Sequence, residues 1–112
     1  MSNQSLSDCL AIVLTTESDV KAANDLALEL LKLRVAACVS ISEIKSNFWW
    51  EGKIHSNNEA QILIKTTKDD LQNLMEALNK LHSYQTPEII SWNASSSKDY
   101  ISWVRDIVSN AS

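Results

Sequence analysis

Apolar and polar residues follow one another along this chain in blocks whose spacing predicts four strands and three helices. Apolar runs typical of strands occupy residues 9–14, 35–41, 61–65 and 88–92. Apolar residues three or four positions apart, typical of helices that bury one side, occupy residues 20–31, 71–81 and 100–108. The first two strand runs are apolar on both faces, as in strands that are covered on both sides.

Helix start signals precede the predicted helices. Thr16 is the predicted cap of the first helix, with Asp19 in its first turn, where a carboxylate is favoured. The pattern recurs at Thr67, before the second helix, and Ser96 is the predicted cap of the third. The first helix is expected to end near Leu33.

Residues 48–54 hold two of the four tryptophans and the only glycine. Gly52 between apolar segments predicts a tight turn, so the second and third strands are expected to form one long hairpin. Trp49 and Trp50 are adjacent and point to opposite faces of an extended strand. We therefore expect one of them in the core and the other covered by a partner.

The element order β-α-β-β-α-β with an extra C-terminal helix predicts an α+β, ferredoxin-like sandwich. Two helices would cover one face of the sheet and leave the other face bare. Exposed apolar patches of that size are uncommon on monomers, so we expect a homo-oligomer. Residues 1–8 are expected to form a flexible N-terminal arm, and residues 9–112 a single domain.

The charge balance narrows the classes of partner. The 112 residues carry a net charge of -4 and no run of lysine or arginine, so neither nucleic acid nor a membrane is an expected partner. Cys9 and Cys38 are too few for a disulfide framework. Residues 1–8 lack the positive region of a signal peptide, and the cysteine usage leads us to expect a reducing compartment.

The chain has no motif of a known enzyme class: no glycine-rich phosphate loop, no HExxH and no GxSxG. We therefore predict a non-enzymatic protein that requires no cofactor. A metal site would need ligands that are distant in sequence or come from two subunits.

Four segments, residues 36–39, 48–53, 64–66 and 82–90, resemble the CutA divalent-cation tolerance family in order and spacing, over nearly the whole chain. The resemblance implies a ferredoxin-like protomer in a compact homotrimer, similar in architecture to PII signal-transduction proteins and cytoplasmic in bacteria. It also implies a role in tolerance to copper and other divalent metals. Thr15 stands where some family members carry a cysteine, which removes one possible soft metal ligand.

The predicted metal ligands are Cys38, His82 and Glu59. Thiolate and imidazole suit copper or zinc, and the resemblance places Cys38 where family members carry a cysteine linked to copper. The alternatives are a buried core thiol for Cys38 and a helix C-terminal imidazole for His82.

A charged cleft is also predicted, and the resemblance implies that it lies between subunits. Its predicted lining is Trp50, Lys53, Lys65, Tyr84 and Glu88, together with Glu59 and His82. It supports an alternative function, a PII-like trimeric module for ligand binding or signalling, in which Lys53 and Lys65 hold a small organic anion. The charges could equally lie on a solvated hairpin edge, and a trimeric scaffold without a ligand stays a third possibility.

Overall fold

The structure, a computed structural model, describes residues 9–109 and contains a four-stranded antiparallel sheet with three helices. Its elements are β1 (Leu10–Glu17), α1 (Val20–Lys32), β2 (Cys38–Trp50), β3 (Lys53–Thr67), α2 (Leu71–Leu81), β4 (Ile89–Ala94) and α3 (Lys98–Ser109). The predicted element order is confirmed. The predicted arm, residues 1–8, and the last three residues of the predicted domain lie outside the described residues.

The strands are ordered β2-β3-β1-β4, and every neighbouring pair is antiparallel. Central strands are shielded on both edges, so they carry the most completely buried residues. On β1 and β3, the side chains of Val13 and Ile64 are fully buried and lie directly opposite each other. They pack with Leu30 of α1 and Leu74 of α2 in the larger core cluster.

The opposite face of the sheet is partly covered by α3. Leu10 and Ile12 of β1 form a second buried cluster with Ile101 and Val104 of α3. The expectation of a bare face is therefore wrong in part, because the C-terminal helix folds back over the first residues of β1. Trp92 of β4 lies on this face opposite Ile12 and stays 45% exposed.

The start of α1 differs from the sequence prediction. β1 continues through Thr16 and Glu17, which pair with β3, so Thr16 is a buried strand residue and not the helix cap. Asp19 is the cap instead: its side chain accepts the backbone N–H of Ala22 at 2.8 Å. The long β3 supplies ladder partners beyond Leu14, which prevents the helix from starting earlier.

The other two helix starts also differ from the prediction. At α2 the cap position is Asp70, whose side chain makes no capping bond, and the predicted cap Thr67 is the last residue of β3. Thr67 Oγ1 accepts the backbone N–H of Asp70 at 3.2 Å and donates to its Oδ2 at 2.8 Å. At α3 the cap is Ser97, one residue after the predicted Ser96, because its Oγ accepts the backbone N–H of Tyr100 at 3.4 Å.

The β2–β3 hairpin runs from the pair Cys38–Lys65 to the pair Trp50–Lys53. Glu51 and Gly52 form its two-residue turn, with φ of 51° and 76°, the positive values that a type I′ turn requires. The long hairpin is thus confirmed. The expectation that one of the adjacent tryptophans fills the core is wrong, because Trp49 is 71% and Trp50 56% exposed.

No helix within residues 9–109 is long and apolar enough to cross a membrane.

Thr66 and Thr67 offer a matched test of buried hydroxyl groups. Both side chains are buried, but Thr66 Oγ1 has no hydrogen-bond partner within residues 9–109, whereas Thr67 Oγ1 bonds to Asp70. We expect Thr66→Val to raise the free energy of unfolding by up to about 1 kcal/mol, because it removes a desolvated group that makes no bond. Thr67→Val should lower the free energy of unfolding by about 1–3 kcal/mol.

Urea denaturation of both variants at equal protein concentration would check this expectation. Equal losses of stability in the two variants would show that Thr66 Oγ1 has a partner in solution.

Candidate functional site: a cleft beside the hairpin

A cleft of about 870 Å³ lies between the β2–β3 hairpin and the connection that joins α2 to β4. Its lining comes from one residue of β1, seven of the hairpin strands and five of the connection: Thr16, Ser46, Asn47, Phe48, Trp50, His55, Asn57, Glu59, Ser83, Tyr84, Gln85, Thr86 and Glu88. A smaller concavity of about 350 Å³, whose lining includes Glu43 and Lys45, adjoins the start of α1.

The hairpin presents alternate residues to the cleft because strand side chains repeat every two positions. Phe48 and His55 are direct cross-strand partners, and their rings stack with centroids 5.9 Å apart. His55 Nε2 also donates to the carbonyl oxygen of Trp50 at 3.2 Å. This side of the cleft is therefore an ordered aromatic surface that residues of one hairpin hold in place.

On the other side of the cleft, a buried carboxylate holds the connection between α2 and β4 in place. Glu17, at the end of β1, is only 2% exposed. Its Oε2 accepts the backbone N–H of Ser83 at 3.0 Å, and its Oε1 accepts the Ser83 hydroxyl and the N–H of Ser18 at 3.3 Å. Several donors converging on one carboxylate satisfy a charge that burial would otherwise disfavour. Glu17 therefore fixes where the connection leaves α2.

His82 continues this network behind the cleft. Its side chain is 1% exposed. Nδ1 accepts the backbone N–H of Tyr84 at 3.0 Å, so in the neutral ring Nε2 carries the hydrogen and donates to Thr15 Oγ1 at 3.1 Å. Nδ1 also lies 3.5 Å from Glu17 Oε2. Both ring nitrogens thus serve to orient the connection.

Thr15, His82 and Glu17 form a hydroxyl–imidazole–carboxylate series like that of hydrolases. Nucleophile activation needs a donor N–H facing the carboxylate and access for a substrate. Here Nδ1 accepts from the Tyr84 backbone, and Thr15 is fully buried. The arrangement therefore stabilises the fold and cannot perform acyl transfer as it stands.

Tyr84 connects the two sides of the cleft, because its hydroxyl donates to Glu59 Oε2 at 2.8 Å. Burial, followed by the hydrogen bond and the charge of Glu59, raises the pKa of the Tyr84 phenol. The phenol therefore stays protonated at physiological pH and remains a donor to the Glu59 carboxylate.

Four of the predicted site residues, Trp50, Tyr84, Glu59 and Glu88, line this cleft together. The two predicted lysines are not among its lining residues. Lys65 lies about six residues along β3 from Glu59, roughly 20 Å away, with its Nζ 5.6 Å from the ring centroid of Tyr100.

The three predicted metal ligands do not meet within one protomer. Cys38 shares the α3 face of the sheet with its strand partner Lys65 and with Ile12. His82 bonds to Thr15, whose side chain points to the other face. Glu59 lies six ladder positions from Lys65, the partner of Cys38. Within residues 9–109, no three His, Cys, Asp or Glu side chains are grouped to hold a metal ion.

Glu17, Thr15 and Ser83 shape the site but escaped sequence reasoning. Glu17 sits in a pattern that resembles the first turn of a helix, where a carboxylate is ordinarily solvated. Only the length of β3, with Ala60 opposite Glu17, assigns Glu17 to a buried strand. The apolar pattern of the sequence did not show that length, because residues 55–59 are polar.

The fold and cleft define a class of protein, a small α+β protein in which a long hairpin and a short connection enclose a cleft. Comparison with known proteins then identifies the family. The family model described as "CutA1 divalent ion tolerance protein" matches residues 11–107. The chain belongs to this family, whose name is that of a tolerance protein and indicates no catalytic activity.

Comparison with individual relatives supports the same family assignment. The divalent-cation tolerance protein CutA of Pyrococcus horikoshii is 35% identical over 96 residues, which cover 85% of this chain and 94% of that protein. The solved structure of CutA from Synechococcus elongatus PCC7942 has a TM-score of 0.87 at 35% identity, over 90% of this chain and 91% of that one. A CutA structure from Archaeoglobus fulgidus, described as periplasmic, has a TM-score of 0.85 at 32% identity, over 88% and 98%.

Proposed function

We propose that this protein is a non-enzymatic, homotrimeric member of the divalent-cation tolerance family that acts in metal homeostasis and binds copper or another divalent cation. The observation that carries the proposal is the family match across residues 11–107. The strand order β2-β3-β1-β4 with antiparallel neighbours supports a ferredoxin-like protomer.

Trimerisation is supported by the apolar side chains that the protomer leaves uncovered. Trp49 and Ile54 are cross-strand partners near the hairpin turn and are 71% and 67% exposed. On the α3 face, Ile90 and Trp92 of β4 are about half exposed. Two exposed apolar areas at different places on one protomer suit a head-to-tail contact, which closes into a ring.

The metal site of this proposal is assembled between subunits, because Cys38, His82 and Glu59 lie apart within one protomer. Cys38 is a free, half-buried thiol at the start of β2, and thiolate is a soft ligand suited to Cu(I). His82 would have to give up Thr15 or Tyr84 to bind a metal. Cys38 is therefore the predicted ligand that the geometry favours.

A copper titration against a competing chelator tests the metal proposal. We expect Cys38→Ser to weaken copper binding more than about tenfold, since it removes a thiolate ligand. Cys9→Ser is the matched control, because Cys9 is the other of the two cysteines in the sequence, and it should bind as the wild type does. His82→Ala, with the fold checked by circular dichroism, tests the second predicted ligand. Equal copper binding by wild type and Cys38→Ser would contradict the proposal.

A second candidate function is a PII-like trimeric module that binds a small ligand. The cleft of about 870 Å³ favours it, because ligand pockets commonly measure about 300–1,000 Å³ and carry a few polar groups among aromatic ones. Dependence of binding on Trp50 and Tyr84, with no effect of Cys38→Ser, would distinguish it from the metal proposal.

We propose a cytoplasmic location, and neither nucleic acid nor a membrane as partner. The net charge of -4 without basic clusters supports this view of the partners. The presence of only two cysteines, too few for a disulfide framework, supports a reducing compartment.

A further inference from the structure

Strand β3 is longer than the strand that pairs with one of its edges. It pairs with β2 along its whole length, from Lys53 to Thr67, but with β1 only from Ala60 to Thr67. Beyond Glu17, the last β1 residue of this ladder, the chain turns into α1. The β1-side edge of residues 53–59, here called the free edge, therefore has no strand of the described chain beside it.

The backbone of the free edge is oriented to bond to another strand. Alternate residues of a strand bond to its two neighbours, and the carbonyl oxygen of Lys65 accepts the N–H of Ala37, on the β2 side. By the same alternation, Ile54, Ser56 and Asn58 turn their N–H and C=O groups toward the free edge. In the described part of the chain, no backbone bond outside the helices and strands involves these residues. Each of them therefore offers one donor and one acceptor to an added strand.

Concavities on both faces of the sheet adjoin the free edge. On the α3 face, Asn57 and Glu59 line the cleft of about 870 Å³. On the other face, Asn58 lines the concavity of about 350 Å³. An added strand sends alternate side chains to opposite faces, so each concavity can receive side chains of such a strand. Backbone bonds combined with pockets for alternate side chains are the elements of peptide recognition by strand addition.

The charges on the α3 face differ between the two ends of the free edge. Glu59 lies at the end nearest β1, and Glu88 lines the same cleft. Lys53 lies at the turn end and shares the face of Glu59, because six strand positions, roughly 20 Å, separate them. A ligand that contacts both ends must therefore be extended, with a basic group toward Glu59 and an acidic group toward Lys53.

We propose that the free edge binds an extended segment of another protein, added to β3 as an antiparallel strand with a basic residue beside Glu59 and an acidic residue beside Lys53. Antiparallel pairing matches the rest of the sheet and continues the line of β1. The segment then begins opposite Asn58. Its second residue lies opposite Asn57, diagonal to Glu59, and its sixth lies opposite Lys53, so both can form cross-strand charge pairs. The inference goes beyond both functions proposed above, since it needs neither a metal nor a small ligand.

Calorimetric titration of the full chain with capped hexapeptides tests the proposal. The probe has the sequence threonine-lysine-valine-threonine-valine-glutamate, and the exchanged peptide has its lysine and glutamate swapped. We expect saturable binding of the probe. The exchanged peptide should bind at least about threefold more weakly, because two attractive charge pairs become repulsive ones.

N-methylation of the peptide separates strand addition from binding through side chains alone. The third and fifth probe residues lie opposite Ser56 and Ile54 and direct their N–H groups toward β3. N-methylation of these two valines should weaken binding at least about tenfold, because it removes two donors and places methyl groups against the edge. N-methylation of the second and fourth residues, whose N–H groups face away from β3, should change the affinity less than about threefold.

Variants of Ser56 locate the binding edge. Ser56→Pro removes one N–H of the free edge and spares the ladder with β2, to which this N–H does not contribute. With its fold checked by circular dichroism, it should bind the probe at least about fivefold more weakly. Ser56→Ala is the matched control and should bind as the wild type does, because both variants lose the bond from Ser56 Oγ to Asn47 Oδ1. Lys53→Ala should reduce the difference between the probe and the exchanged peptide.

Three results would overturn the inference: no binding of the probe, equal effects of the two N-methylation patterns, or equal binding by wild type and a folded Ser56→Pro. Probe binding confined to dilutions at which sedimentation shows a monomer would assign the edge to a second copy of this chain and would also overturn it. The copper titration, measured on the same sample, tests the leading proposal separately. A protein that binds copper but not the probe would contradict this inference alone.

Discussion

Glu17→Ala should lower the free energy of unfolding by about 3–5 kcal/mol, because several hydrogen bonds to one buried carboxylate are lost together. The variant leaves the Ser83 N–H, the Ser83 hydroxyl and the Ser18 N–H without the acceptor that they share. Each donor loses a hydrogen bond to a charged group, worth about 1.5–3 kcal/mol. Partial exposure of the serine backbones lets water replace some of this loss.

The measurement is urea denaturation at fixed protein concentration, because assembly would add to apparent stability. Ser83→Ala removes only the hydroxyl and keeps the backbone bond, so it should cost about half as much. Glu88→Ala, at an exposed carboxylate of the same connection, should stay within about 0.5 kcal/mol of wild type. A loss in Glu17→Ala no larger than that of Glu88→Ala would show that the network does not persist in solution.

The burial of Glu17 was not predicted from the sequence, although the order of the elements was. Hydrophobic periodicity predicted the element order, because each helix has a clear apolar stripe and the central strands are apolar. It did not predict strand lengths, since β3 extends through the polar residues 55–59. The strand boundary near Glu17 decides whether that carboxylate is solvated or buried, and the boundary depends on pairing with β3.

The candidate site was likewise predicted only in part. Trp50, Tyr84, Glu59 and Glu88 were predicted as one cleft, and the structure places them in one lining. Their convergence follows from the hairpin and the connection that begins at His82. Lys65 was grouped with them on its charge and on the family resemblance, but its place on β3, opposite Ile12 and Cys38, puts it at the far end of the sheet. Sequence patterns give residue types, whereas register decides which of them meet.

The largest expected effect on assembly comes from the end of the hairpin. In the double variant Trp49→Ala/Ile54→Ser, we expect the proposed trimer to dissociate at concentrations where the wild type stays assembled. These two side chains oppose each other across the strands and are mostly exposed in the protomer. Truncating one aromatic side chain that a partner buries costs about 3–5 kcal/mol, which weakens each contact more than about a hundredfold.

Sedimentation velocity over a concentration series measures the effect, with the mass of three 12.5 kDa chains expected for wild type. Leu28→Ser is the control, because Leu28 is also exposed, at 47%, but lies on α1, away from the hairpin. It should remain trimeric, since general loss of surface hydrophobicity does not dissociate a specific contact. A monomeric wild type would contradict the trimer. Equal masses for wild type and the double variant would place the contact elsewhere, leaving Ile90 and Trp92 on the α3 face as the apolar area to test next.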